Sequence, residues 1–325
     1  MKLISYFLLL FIFSAAAIGA EAINEEASMP ADGRVLVSNV SGSVKIEGWS
    51  KRRIEVTGKL GKDSVLTFEV DGDTARVEVE MEEKHWKKNY DNEATHLVIR
   101  VPQGARVSAS TVSATLDVRK VKGMQRLKTV SGDLNTEVFA AETEARTVSG
   151  EIEIEGSDNT LNLTVGSVSG DIEANNISGE ISAKTVSGDI ELVSARVSRL
   201  RLNSVSGDIE WSGDLENGGR IDAETVSGDV VLKLRNLLDT EYSLQSFSGR
   251  IDPVLDVKAS RTSKYAPGRR LELSEGSGAS RVYVETMSGD IEVNGTGTIS
   301  RKPSVSKKDN RVTQQIDKAA PRTAG

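Results

Sequence analysis

Cysteine is absent from all 325 residues, and histidine occurs only twice. The lack of cysteine excludes a disulfide scaffold, a thiolate nucleophile and any thiolate-ligated metal centre. His85 and His96, eleven residues apart, offer neither a zinc spacing nor the base of a nucleophile–histidine–acid triad, and each reads as a strand or solvated residue. Aromatics make up 4% of the chain, too few for a sugar-stacking cleft of many rings. No phosphate-cradling loop of the P-loop or dinucleotide type occurs, because every conspicuous glycine belongs to a repeat.

The ends are distinct from the middle. Lys2, an apolar run from Leu3 to Phe13 and the small-residue junction Ala20-Glu21-Ala22 have the three-part plan of a secretory signal peptide spanning residues 1–22. Cleavage is expected after Ala22, with Ala20 the competing position. No cysteine stands there to accept a lipid anchor, and no second apolar run is long enough to span a bilayer. The mature chain is therefore expected to be exported, to the periplasm or the cell surface, with no transmembrane segment after signal cleavage. Residues 299–325 carry seven basic and two acidic side chains with Pro303 and Pro321, a basic tail expected to be disordered and suited to touch an anionic surface. The net charge of −7 then leaves −12 on residues 23–298, and phosphate repels so acidic a body, which excludes nucleic acid as a partner.

One motif organises the rest. Val148-Ser149-Gly150-Glu151-Ile152 recurs as Val168 to Ile172, Val186 to Ile190, Val205 to Ile209 and Val226 to Val230, with further copies at Val130 to Leu134, Ile177 to Ile181, Phe247 to Ile251 and Met287 to Ile291. Val40 to Val44 is an early copy, and Val112 to Leu116 has Ala114 in place of its glycine. The glycines Gly132, Gly150, Gly170, Gly188, Gly207, Gly228 and Gly249 step by 18–21 residues, with Gly289 in the last copy, and a period near 20 marks a solenoid. Gly123, Gly179 and Gly219 fall near the half-period, so each rung reads as two strand-plus-turn units.

The apolar residues at motif positions 1 and 5 are mostly β-branched and share parity, which predicts that both face the interior while Ser and Asp face out. The glycine is expected either to supply a positive φ or to permit close backbone approach. The fold class is thus all-β: a single-stranded parallel β-solenoid of about 18–21 residues per rung over residues 104–298, right-handed by the crossover rule. About ten rungs stacked at about 4.8 Å would make a rod of roughly 45–50 Å. Residues 23–103 alternate without the fixed period and are expected to form an N-terminal β cap, interrupted by a charged loop over residues 82–93.

The opening strand with Val40-Ser41-Gly42-Ser43-Val44 and Trp49, the strand Leu97 to Pro102, the reiterated VSGDI units and the closing Gly276-Ser277-Gly278-Ala279 resemble the bacterial putative-adhesin family, a domain of unknown function. The resemblance covers Gly33 to Val293. It implies a β-solenoid in the bacterial envelope or on the cell surface and brings no established active-site residues.

The motif acids Asp133, Glu151, Asp171, Asp189, Asp208 and Asp229 would stack about 5 Å apart, where like charges need compensation from turn amides, solvent or a bound cation. The nonapeptide signature of calcium-binding β-rolls is missing, so the row is a weak cation ladder and no metal or cofactor site is assigned. Parallel β-helices also host polysaccharide lyases and hydrolases, but those need a unique acid–base cluster, whereas these acids are periodic. The sequence therefore points to a non-catalytic surface interaction protein or adhesin with a protein or glycan partner. An envelope scaffold or stress-linked binding protein is the alternative, and a polysaccharide enzyme the reading to exclude.

Overall fold

The computed structural model describes residues 22–81 and 94–295, apart from 158, 236, 238, 253 and 264–266. The proposed signal peptide up to Glu21, the charged loop 82–93 with His85 and Trp86, and the basic tail lie outside the described residues. The strands in chain order are β1 (Ala22–Ser28), β2 (Arg34–Trp49), β3 (Arg53–Lys59), β4 (Ser64–Asp71), β5 (Thr74–Met81), β6 (Thr95–Pro102), β7 (Arg106–Arg119), β8 (Gln125–Lys128), β9 (Leu134–Glu137), β10 (Thr143–Arg146) and β11 (Ile152–Glu155). They continue with β12 (Thr160–Gly166), β13 (Ile172–Lys184), β14 (Ile190–Ser206), β15 (Ile209–Ser227), β16 (Val230–Leu234), β17 (Thr240–Ser246), β18 (Ser260–Arg261), β19 (Arg269–Ser274), β20 (Ser280–Ser288) and β21 (Ile291–Gly295). Among the described residues no helix is long and apolar enough to cross a membrane.

Each full rung contributes one strand segment to each of two stacks. The first stack runs through the N-terminal half of β2, then β7, β8, β10, β12 and the C-terminal halves of β13, β14 and β15, all parallel. The second runs through the C-terminal halves of β2 and β7, then β9, β11, the N-terminal halves of β13, β14 and β15, and β16. The VSGD segment carries the chain from the first stack to the second, and the half-period turn carries it back.

Two departures from a simple linear array are visible. The N-terminal region supplies a complete rung of its own, because β2 pairs with β7 in parallel register from Arg34↔Arg106 to Glu47↔Arg119. Beyond β2 the stacks continue through β5 and β6, and the outermost pairings, β4 on β5 and β3 on β6 and β1, run antiparallel. At the other end sequence order is broken. β20 lies between β15 and β17, and β21 pairs with β16, so the chain of residues 240–251 forms the last rung although it precedes 280–291. β19 then pairs antiparallel with β17.

The interior follows the alternation of apolar residues within strands. Leu116, Leu134, Ile152, Ile172, Ile190, Ile209, Val230 and Ile291, all at motif position 5, are fully buried one above another. Position 1 is the correction, except in the copy at Ile177, which is buried as expected, and the early copy at Val40, which is half-buried. Val130, Val148, Val168, Val186, Val205, Val226, Met287 and Phe247 are each 43–52% exposed. Parity carries from Leu127 and Thr129, both inward, to an outward Val130, and the glycine turn then resets it so that Leu134 points inward again. Parity arguments hold only inside one continuous strand, and a corner separates positions 1 and 5.

Candidate functional site

The corner explains the motif's chemistry. A β-carbon on Gly170 would sit 1.9 Å from the carbonyl oxygen of Gly150, one on Gly207 2.0 Å from that of Gly188, and one on Gly289 1.9 Å from that of Gly228. The glycine column is a close backbone approach between consecutive rungs, and at Gly207 and Gly228 the backbone also has positive φ, 154° and 153°, so both roles expected of the glycine occur. In three copies the residue before the motif valine or phenylalanine completes the turn, a position the sequence reading did not single out although it is Thr or Ser in copy after copy; the corresponding hydroxyls of Thr147, Thr185, Ser204 and Thr225 are buried without a hydrogen-bond partner. Thr129 Oγ1 accepts the amide of Gly132 at 3.0 Å, Ser167 Oγ that of Gly170 at 2.8 Å and Ser246 Oγ that of Gly249 at 2.8 Å.

The acidic row is compensated by backbone. Asp171 Oδ1 accepts the amide of Asp189 at 2.8 Å, Asp189 that of Asp208 at 2.8 Å, Asp208 that of Asp229 at 2.7 Å and Asp229 that of Asp290 at 2.7 Å. Each of these aspartates, and Asp133 through the amide of Glu151 at 3.2 Å, thus ties its rung to the next. The row ends on Arg250, whose guanidinium reaches Asp290 at 2.6 Å while its amide donates to Asp290 Oδ1 at 2.7 Å. Among the described residues no group of acids or histidines is arranged to hold a metal ion. His96, the other histidine considered, shares a hydrogen bond with Ser43 Oγ at 2.8 Å.

These contacts set two expectations. Asp189→Asn keeps the acceptor and should shift unfolding by less than about 0.5 kcal/mol, whereas Asp189→Ala loses the bond to the Asp208 amide and should cost about 1 kcal/mol. Urea denaturation of both variants, with and without calcium, checks this, and calcium-dependent stabilisation of wild type alone would reassign the row to cation binding. At the end of the row, Arg250 holds the Asp290 carboxyl below its ordinary value by hydrogen bonding. A depressed carboxylate stabilises the fold above its unfolded pKa of about 3.9, and that contribution disappears as pH falls through the folded value. The stability difference between wild type and Arg250→Gln should therefore be largest near neutrality and vanish in acid.

A concavity lies elsewhere, on the outer face of the first stack. It has a volume of about 310 Å³ and is lined by Arg201, Asn203, Arg220, Asp222, Glu224 and Tyr283. Register builds it: Arg201 stands beside Asp222, which stands beside Tyr283, and Arg199, Arg220 and Arg281 form the neighbouring row. Arg220 Nη2 lies 2.6 Å from Asp222 Oδ1 and its Nε donates to both carboxylate oxygens, so Asp222, nearly buried, fixes the Arg220 fork. Tyr283 donates its hydroxyl to Glu285, a bond that with desolvation pushes the phenol up to about 12. A second, smaller concavity of about 170 Å³ adjoins it through Arg201, with Arg199, Glu180 and Ser182. Sequence reading missed this groove because its residues lie outside the repeated motif and come from the consecutive strands β14 and β15 together with the distant β20.

A parallel stack of two-strand rungs, closed at both ends by antiparallel strands, defines an all-β, solenoid-like fold with a polar groove on one outer face. The chain belongs to the Toastrack DUF4097 family, whose model matches residues 34–214 and 184–294. Solved structures with likeness to it include one described as a "putative adhesin" from Bacteroides fragilis, at 13% identity, TM-score 0.38 and coverage of 84% of this chain and 97% of that one. A "putative cell adhesion protein" from Clostridium sporogenes is 10% identical, with TM-score 0.20 and coverage of 85% and 100%. A "putative lipid binding protein" from Parabacteroides distasonis is 12% identical, with TM-score 0.31 and coverage of 85% and 97%. No curated protein matches the chain.

Proposed function

We propose that this protein is a non-catalytic, adhesin-like interaction protein of the bacterial envelope or surface, and that its groove holds an acidic glycan. The observation that carries the reading is Arg201: it lines both concavities yet makes no hydrogen bond or ion pair among the described residues, while neighbouring Arg220 is held by Asp222 through Nε and Nη2. A free guanidinium is suited to bidentate capture of a sugar carboxylate. Asn203, Glu224 and the Tyr283 ring are placed to meet hydroxyls and a ring face.

Calorimetric titration with oligogalacturonate and with neutral oligosaccharides tests this. Binding of the acidic series that Arg201→Ala abolishes and Arg201→Lys weakens is the expected result, with no new reducing ends or unsaturated products. Absence of binding, or equal affinity in Arg201→Ala, would sink the glycan reading, and turnover abolished by a single acid substitution would make the protein an enzyme.

A further inference from the structure

The outward motif residues form one continuous ridge. Eleven large apolar side chains are exposed among the described residues, and nine of them occupy this single row: Val112, Val130, Val148, Val168, Val186, Val205, Val226, Met287 and Phe247. Backbone bonds lock the row in register, as in Ser149 N to Val130 O at 2.8 Å, Ser169 N to Val148 O at 2.8 Å and Ser187 N to Val168 O at 2.8 Å. At about 4.8 Å per rung the ridge is about 40 Å long. It exposes on the order of 500 Å², as large as the largest apolar patch on a typical monomer. The buried position-5 row closes the core, and the outward half of each ridge side chain is left uncovered.

We propose that the ridge is the interface of a parallel homodimer. Period selects the partner: side chains spaced by one rung are filled notch by notch only by a surface with the same spacing, and a second copy is such a surface. Charge selects the orientation. At three of the nine levels, those of Val130, Val148 and Val186, the valine lies between the motif acid on one side and, two residues before it, Lys128, Arg146 or Lys184 on the other; at Val112, Val168, Val205 and Phe247 the second flank is the uncharged Ser110, Gly166, Asn203 or Gln245. A two-fold axis along the rod places one copy's acid flank against its partner's basic flank at equal height. Lys128 then meets the level of Asp133, Arg146 that of Glu151 and Lys184 that of Asp189. The like-charged levels are Glu224 with Asp229 and Glu285 with Asp290, and Asp290 is already neutralised by Arg250. An antiparallel arrangement would instead oppose acid row to acid row. The row of acids beside the ridge likewise disfavours an anionic membrane as occupant. With its serine row and charged flanks, each copy could cover roughly the 800 Å² per partner of a standard interface.

Sedimentation velocity on the mature chain at up to about 100 µM should show a dimer, weakened by added salt. The combined variant Val148→Ser, Val168→Ser, Val186→Ser should raise the dimer Kd at least about tenfold while the chain still folds and melts cooperatively, since all three side chains are half exposed. The absence of native cysteine permits a second measurement that reports orientation. The Val130→Cys variant should cross-link to itself on mild oxidation, and a mixture of Val130→Cys with Met287→Cys should give no hetero-cross-link. A monomeric wild type, a triple variant that dimerises like wild type, or preferential linking of Val130→Cys chains to Met287→Cys chains would each overturn the proposal. Arg201→Ala should dimerise normally, so failure of the glycan reading is distinguishable from failure of this one.

Discussion

Gly170→Ala is expected to destabilise the fold by about 3 kcal/mol, whereas Gly166→Ala, four residues earlier, should be neutral or slightly stabilising. A β-carbon at 170 would stand 1.9 Å from the Gly150 carbonyl oxygen and 2.7 Å from its carbon. Both atoms are backbone held by the rung below, so relief requires two rungs to separate. Interior rungs are bonded on both faces, and in a solenoid stability is nearly a sum of rung and neighbour terms, so separation weakens more than one contact. At Gly166 the nearest atom to an added β-carbon is 3.9 Å away. There the substitution only restricts the unfolded chain. Equilibrium urea unfolding of the two variants is the measurement, and equal stabilities would show that the glycine column tolerates a side chain.

Trp211→Ala should cost about 4 kcal/mol, and Trp211→Phe markedly less. The indole is wholly buried and is the largest fully buried side chain among the described residues. Its Nε1 donates to Ser194 Oγ at 2.9 Å on the adjacent rung, and Ser194 is itself 1% exposed. Alanine leaves a large cavity in the interior of the solenoid and a hydroxyl deprived of its donor. The Phe variant fills most of that volume and loses chiefly the hydrogen bond. Thermal melts followed by circular dichroism separate the two, and a Trp211→Ala protein as stable as wild type would mean that neighbouring rungs close over the gap.

Alternation in segments such as Ile152-Glu153-Ile154 and the spacing of Gly132, Gly150, Gly170 and Gly188 determined by themselves that the chain is all-β, periodic, and built of two strand units per rung. Those are local properties: β-branched residues favour extended backbone, and a glycine repeated at one period marks one repeated geometric demand. The identity of that demand was decided in three dimensions, where the Gly150 carbonyl fills the space a β-carbon at 170 would need. Tertiary structure also decided that Val130, Val148 and Val168 face outward, because a turn between two stacks resets the parity that a single strand would keep. The insertion of β20 between β15 and β17, and the meeting of Arg201, Asp222 and Tyr283 in one groove, were likewise set by register between rungs. Pairing between distant strands is fixed by which backbone edges meet, and nearly identical repeats present nearly identical edges, so no local pattern says which rung follows which.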